Sequence, residues 1–150
     1  MDELRDLYQA TILDHNKKPR NFHELPNADH TADGHNPICG DKLRVFAIVE
    51  EDRVKDVAFQ GAGCAISLAS ASLMTDTVKG RSLQEITETF ESFHELVTSP
   101  AGAEIDTSEL GKLAVFSGVR EFPMRVKCAT LAWHTLQAAL SENREVAKTE

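Results

Sequence analysis

The stretch KLRVFAIVEEDRVKDVAFQGAGC, residues 42–64, decides the fold that this sequence predicts. Apolar side chains alternate with a mixed second face along residues 42–50, and residues 53–60 repeat β-favouring side chains, a pattern typical of strands. Because only Glu51 and Asp52 separate the two segments, they predict an antiparallel hairpin.

Upstream of the hairpin, the sequence predicts one helix and one short strand. The apolar residues of segment 2–13 are spaced to form one stripe on a helix. Segment 15–39 is rich in proline, asparagine, aspartate and histidine, which favours turns and extended chain. A short strand is predicted near its end, at residues 30–36.

Downstream of the hairpin, the sequence is mostly helical. A tightly packed helix should follow Cys64 and end at Gly80. Ser82 and Glu85 have the spacing of a capping box and predict a helix that runs to about Val97.

Two more helices are predicted towards the carboxyl end, one from Thr107 or Ser108 and one from near Val126. The polar tail, residues 141–150, predicts no regular element. The fold class is therefore α+β, with a small antiparallel three-stranded sheet packed against an amino-terminal helix and several carboxyl-terminal helices. We expect residues 1–150 to form a single domain.

Composition excludes several classes of function. A net charge of −8 disfavours a nonspecific grip on nucleic acid. No apolar run approaches the ~20 residues that span a bilayer, and the start of the chain is acidic where a secretory signal is basic. We therefore expect a cytoplasmic protein with neither membrane nor nucleic-acid partners. Three cysteines cannot all pair within the chain, which favours thiolate chemistry or metal binding over disulfides.

The candidate chemistry lies at Cys39, Asp41, Cys64 and Cys128. Each stands at a predicted junction between elements, and Cys64 and Cys128 are predicted at helix amino ends, where the macrodipole favours a thiolate. Three thiolates and one carboxylate supply the four donors of a tetrahedral zinc site. Their scattered spacing also fits three cysteines buried as ordinary apolar side chains.

Glycines beside these cysteines favour the metal interpretation. Gly40, Gly61 and Gly63 give backbone freedom that a packed core thiol does not need. Asp41 is the hardest and weakest of the four zinc donors, so an incoming group would displace it most easily. Iron would accept the same donor set.

Four stretches together give the sequence a family resemblance. They are LYQATILDHNKKPRNF at 7–22, NPICGDKLRV at 36–45, VKDVAFQGAGCAISLASASLMTDTVKGRSL at 54–83, and FPMRVKCATLAWHTL at 122–136. The chain resembles the SufU-type sulfur-acceptor proteins, which are relatives of the IscU scaffold in iron–sulfur cluster assembly.

The resemblance implies a function for each candidate residue. Cys39, Asp41, Cys64 and Cys128 would hold zinc, Cys128 would accept persulfide sulfur, and Arg125 would lie near the site. The partner implied is a pyridoxal-phosphate-dependent cysteine desulfurase of the SufS type, with other Suf assembly proteins as further partners. The chain would then be an enzyme, a zinc-dependent sulfurtransferase.

Two departures separate the sequence from the IscU-like branch, in which a histidine precedes the third cysteine. Lys127 stands in that place, and residues 93–119 form an extra region. Both favour sulfur transfer over a scaffold that assembles a cluster, because a charged lysine is no nitrogen ligand at pH 7. The scaffold, with iron or an iron–sulfur cluster, stays the alternative, and a zinc-stabilised interaction domain without sulfur chemistry is a third.

Overall fold

In the computed structural model, residues 2–100, 102–141 and 147–148 are described, with residues 2–7, 147 and 148 described by their backbone alone. Among the described residues, no helix is both long enough and apolar enough to cross a membrane. The elements in chain order are α1 (Asp2–Lys17), β1 (His30–Asn36), β2 (Asp41–Glu50), β3 (Arg53–Ala62), α2 (Ala65–Val78), α3 (Leu83–Thr98), a 3₁₀ helix (Gly111–Glu121), α4 (Pro123–Leu140) and β4 (Ala147–Lys148).

The predicted α+β architecture is confirmed. Strands β1, β2 and β3 form an antiparallel sheet with β2 at its centre. The two-residue strand β4 joins β1 in parallel, which the sequence did not predict. The prediction that segment 141–150 holds no regular element otherwise lies largely outside the described residues.

The hairpin between β2 and β3 turns at Glu51 and Asp52, as predicted. Both residues have positive φ, 52° and 60°. Two-residue hairpin turns of the primed type have this conformation, because it matches the twist of the flanking strands. The turn places Glu50 opposite Arg53 and so sets the register of the pair.

The core lies between the sheet and helices α2 and α4, and α3 packs against α4 and the 3₁₀ helix. β2 and β3 contribute buried aliphatic side chains and Phe59, and α4 contributes the fully buried Trp133. Trp133 stacks on Phe93, whose ring meets Phe116 of the 3₁₀ helix edge to face. The helix-to-sheet contact is close enough that a Cβ atom on Gly34 of β1 would collide with the Thr135 hydroxyl of α4.

The amino-terminal helix is fixed to α2 through a buried histidine. The side chain of His15 is almost fully buried, and its Nδ1 lies 2.7 Å from Ser72 Oγ. The same hydroxyl accepts the backbone N–H of Arg20 at 2.9 Å, which holds the chain after α1 against α2. Burial, more than the positive charge of Arg20, lowers the pKa of His15.

Of the last three helix starts, one was predicted correctly and two were not. The capping box of α3 is confirmed, since Ser82 and Glu85 each accept the other's backbone N–H. The helix predicted from Thr107 or Ser108 is wrong: the segment forms a 3₁₀ helix that begins only at Gly111. Helix α4 begins at Pro123 and not near Val126, because proline suits the first turn, where its missing N–H costs nothing.

Candidate metal centre

The loop between β1 and β2 positions Cys39 and Asp41. Asn36 and Asp41 face each other across the antiparallel pair, and the backbone N–H of Gly40 donates to Asn36 O at 2.8 Å. Gly40 has a φ of 75°, a left-handed conformation that glycine adopts without strain. This turn directs the chain so that Asp41 enters β2 fully buried while Cys39 stays half-buried at the loop.

The second cysteine begins α2, as predicted. Cys64 is the N-cap residue of that helix, and its sulfur accepts the backbone N–H of Ser67 at 3.5 Å. Its own N–H donates to Asp41 Oδ1 at 2.8 Å. Gly63 makes this approach possible, because a Cβ atom there would lie 2.6 Å from the same carboxylate oxygen. The predicted need for glycine beside Cys64 therefore has a steric basis.

The third cysteine is not where the sequence placed it. Because α4 begins at Pro123, Cys128 lies in the second turn of the helix and not the first. Its side chain is completely buried, and its sulfur lies 3.6 Å from Met124 O. Burial, reinforced by hydrogen bonding with Cys39 and Cys64, raises the pKa of the Cys128 thiol above its ordinary range. The predicted position of Cys128 in the first turn of a helix is therefore wrong.

Three of the four predicted ligands meet in one group. The donor atoms of Cys39, Asp41 and Cys128 all lie within 4.8 Å of one another, and the two sulfurs are 3.3 Å apart. Cys64 borders this group without belonging to it, with its sulfur 4.0 Å from Asp41 Oδ2.

The spacing of these donors fits a zinc ion. Zinc–sulfur bonds of about 2.3 Å in a tetrahedron put two sulfurs roughly 3.8 Å apart, and a sulfur and a carboxylate oxygen roughly 3.6 Å apart. The two sulfurs of Cys39 and Cys128, at 3.3 Å, are somewhat closer than the sulfur–sulfur value. The Cys64 sulfur and Asp41 Oδ2, at 4.0 Å, are somewhat farther apart than the sulfur–oxygen value. Cys64 lies outside the group within 4.8 Å, so its sulfur would have to move towards the other three donors to complete a four-ligand site.

Asn36 is a site residue that sequence analysis missed. It is fully buried, and its Nδ2 donates to Asp41 Oδ2 at 3.4 Å and lies 3.6 Å from Cys128 Sγ. Its Oδ1 accepts the N–H of Ile38 at 3.3 Å, which closes an Asx-type turn. The Asn-Pro pair at the start of the loop signals such a turn, but nothing in the sequence shows that the amide also reaches the sulfur.

Arg125 lies exposed in the first turn of α4. Within the part of the chain that the structure describes, its guanidinium makes neither a hydrogen bond nor an ion pair. Its closeness to the site therefore stays a prediction.

This α+β fold and this convergence of thiols with a carboxylate define a small α+β protein with a candidate metal site. Residues 7–129 match the NifU-like N-terminal domain, and the chain belongs to that family.

Relatives that cover nearly the whole chain are proteins of iron–sulfur cluster assembly. The zinc-dependent sulfurtransferase SufU of Bacillus subtilis is 39% identical over 93% of this chain and 92% of its own length. The iron-sulfur cluster assembly scaffold protein IscU of Streptococcus pyogenes is 37% identical over 95% of this chain and 88% of its own length. The crystal structure of FiSufU from Fervidobacterium islandicum superposes with a TM-score of 0.80 at 35% identity, over 87% of this chain and 93% of that one.

Proposed function

We propose that this chain is a zinc-dependent sulfurtransferase of iron–sulfur cluster biogenesis. Its sulfur donor would be a SufS-like cysteine desulfurase, an enzyme whose cofactor is pyridoxal phosphate. The observation that carries the proposal is the meeting of Cys39, Asp41 and Cys128 within 4.8 Å, with Cys64 at its border. The name of the Bacillus subtilis relative supports zinc as the metal. Other Suf assembly proteins as further partners, and the cytoplasm as location, stay predictions from the sequence.

Cys39, Asp41, Cys64 and Cys128 would hold the zinc ion. When bound, zinc supplies a positive charge that keeps its cysteine ligands deprotonated at neutral pH. Asn36 would orient Asp41 through its amide, and the N–H groups of Cys64 and Ser67 would stabilise negative charge on the carboxylate and on the Cys64 sulfur.

In the proposed reaction, Cys128 receives the outer sulfur of a persulfide carried by the desulfurase. A bond forms between Cys128 Sγ and that sulfur, and the bond between the outer sulfur and the desulfurase cysteine breaks. The desulfurase cysteine leaves as a thiolate, and Cys128 becomes the persulfide. The exchange needs no external oxidant or reductant.

Mass spectrometry tests this proposal directly. The full chain is incubated with a SufS-type desulfurase and cysteine, and one added sulfur, about 32 Da, is expected on Cys128. Cys128→Ala should lose the adduct and the stimulation of desulfurase turnover, whereas Ser141→Ala at the far end of α4 should retain both. Unchanged stimulation by Cys128→Ala would refute the assignment of the acceptor. A chain that melts on zinc removal yet gains no sulfur would be an interaction domain only.

A scaffold is the second candidate, favoured by the name of the Streptococcus pyogenes relative. It predicts that anaerobic reconstitution with iron and sulfide produces a coloured cluster that displaces zinc and moves intact to an apo-protein. A colourless zinc protein after reconstitution would exclude it.

A further inference from the structure

A second group of metal-ligating side chains lies between α3 and α4. It surrounds an open cavity of about 540 Å³. The residues that line the cavity are Phe90, Glu91, His94, Glu95, Thr98 and His134. His134 follows Cys128 by six positions on α4, about 9 Å along the axis and about 120° around it. None of the lining residues is a cysteine, so this cavity is separate from the site of Cys39, Asp41 and Cys128.

Two histidines that line the cavity lie close together, with their ring planes at 76°. The ring centroids of His94 and His134 are 6.4 Å apart. Both rings stand edge-on to Phe90, at 6.0 and 5.2 Å, and Phe90 is itself stacked on buried Trp133. Both histidines therefore contact a ring that is itself packed against the core.

A shared metal ion requires these side chains to move, because among the described residues only Cys39, Asp41 and Cys128 bring three donor atoms within 4.8 Å of one another. With metal–nitrogen bonds of about 2.0–2.1 Å in a tetrahedron, two imidazole centroids lie roughly 5.3 Å apart. The gap to be closed is thus about 1 Å. His94 is exposed, so its side chain is free to close that gap.

The two imidazoles are available as ligands. Within the described residues, neither ring takes part in a hydrogen bond or an ion pair. A neutral imidazole is the form of histidine that binds a metal.

Carboxylates complete the donor set. Glu91 and His94 have the Glu-x-x-His spacing that places both side chains on one helix face, a pairing that helix bundles use to bind metal ions. Glu95 lines the same cavity from the next position. Among the described residues, neither glutamate side chain is engaged in another contact.

We propose that His94, His134 and Glu91 form a second metal site, which takes a divalent transition-metal ion such as zinc with imidazole and carboxylate ligands. Such an ion would link α3, which carries Glu91 and His94, to α4, which carries His134. The site contains no thiol, so its affinity for zinc should be lower than that of the cysteine centre.

Equilibrium dialysis tests the site. The full chain is dialysed against a series of free zinc concentrations, and bound metal is measured by mass spectrometry and protein by absorbance. The wild-type chain should take up one more zinc per chain than His94→Gln, in a separate and weaker step. Glu91→Gln should weaken that step at least tenfold. His23→Gln, an exposed histidine outside the cavity, and Glu88→Gln, on the same helix, are the matched controls and should retain it.

The outcomes are distinct from those of the proposed function. The difference of one zinc between wild type and His94→Gln is expected whether or not the cysteine centre is filled. Equal zinc uptake by wild type and His94→Gln at every concentration would overturn the second site, and so would an equal loss in His23→Gln. Because His94 is exposed, its variant should fold normally, so the result does not depend on the half-buried His134.

Discussion

Replacing Gly63 with alanine should damage the metal centre through one collision. The new Cβ atom would lie 2.6 Å from Asp41 Oδ1, where ordinary contact begins at about 3.4 Å. Asp41 must therefore move by about 0.8 Å, which stretches its 2.8 Å bond from the Cys64 N–H beyond hydrogen-bonding distance. Loss of a hydrogen bond to a charged group costs about 1.5–3 kcal/mol of folding free energy. Loss of a hydrogen bond that orients a metal ligand lowers the affinity for the metal by roughly 10–100-fold.

Chelator competition measures the zinc affinity, and urea unfolding measures the folding free energy. Gly118→Ala is the matched control, because its Cβ would meet no atom within 4 Å. The control should keep the wild-type zinc affinity. If Gly63→Ala binds zinc as tightly as Gly118→Ala does, the contact with Asp41 has no part in metal binding, and the geometric argument fails.

Three further changes test other parts of the structure. Asn36→Ala removes the amide donor to the Asp41 carboxylate, so zinc affinity should fall roughly 10–100-fold by the same competition assay; unchanged affinity would contradict the assigned contact. Gly34→Ala should lower the urea concentration at the midpoint of unfolding, because the new Cβ collides with Thr135. A midpoint equal to that of the wild type would show that β1 and α4 can move apart without loss of stability. The pKa of His15 is lowered by burial, so the unfolded chain takes up the proton first: stability should fall as the pH drops below about 6.5 and level off below the folded-state pKa. His15→Gln should flatten that pH profile of unfolding, and a profile as steep as wild type would refute the role of His15.

Local patterns predicted the sheet and much of the helical structure. The alternation in residues 42–60, the two-residue turn and the capping box at Ser82 each act over a few residues, and the structure confirms all three. These three features depend on local sterics and hydrogen bonds alone. Gly63 was predicted to supply backbone freedom, whereas the structure needs a glycine there because a Cβ atom would collide with Asp41.

The misplaced features depend on contacts that local patterns do not show. The sequence predicted the last helix from near Val126, although Pro123 is suited to open a helix, and the true start at Pro123 places Cys128 in the buried second turn. The pKa of Cys128 is set by the atoms packed around it, which spacing along the chain cannot show. Asn36 reaches the same sulfur across 92 positions of sequence.

The burial of Cys128 constrains how sulfur transfer would work under the proposed function. Its side chain has no exposed surface, whereas Cys39 and Cys64 are half-buried, so a persulfide on another protein cannot reach Cys128 in this conformation. The groups that lie against its sulfur are Asn36 and Cys39 at the loop between β1 and β2, and the Met124 carbonyl in the first turn of α4. Loops and helix ends open at a much lower free energy than the whole fold. Sulfur transfer to Cys128 therefore requires this loop or this first turn to move away from the sulfur.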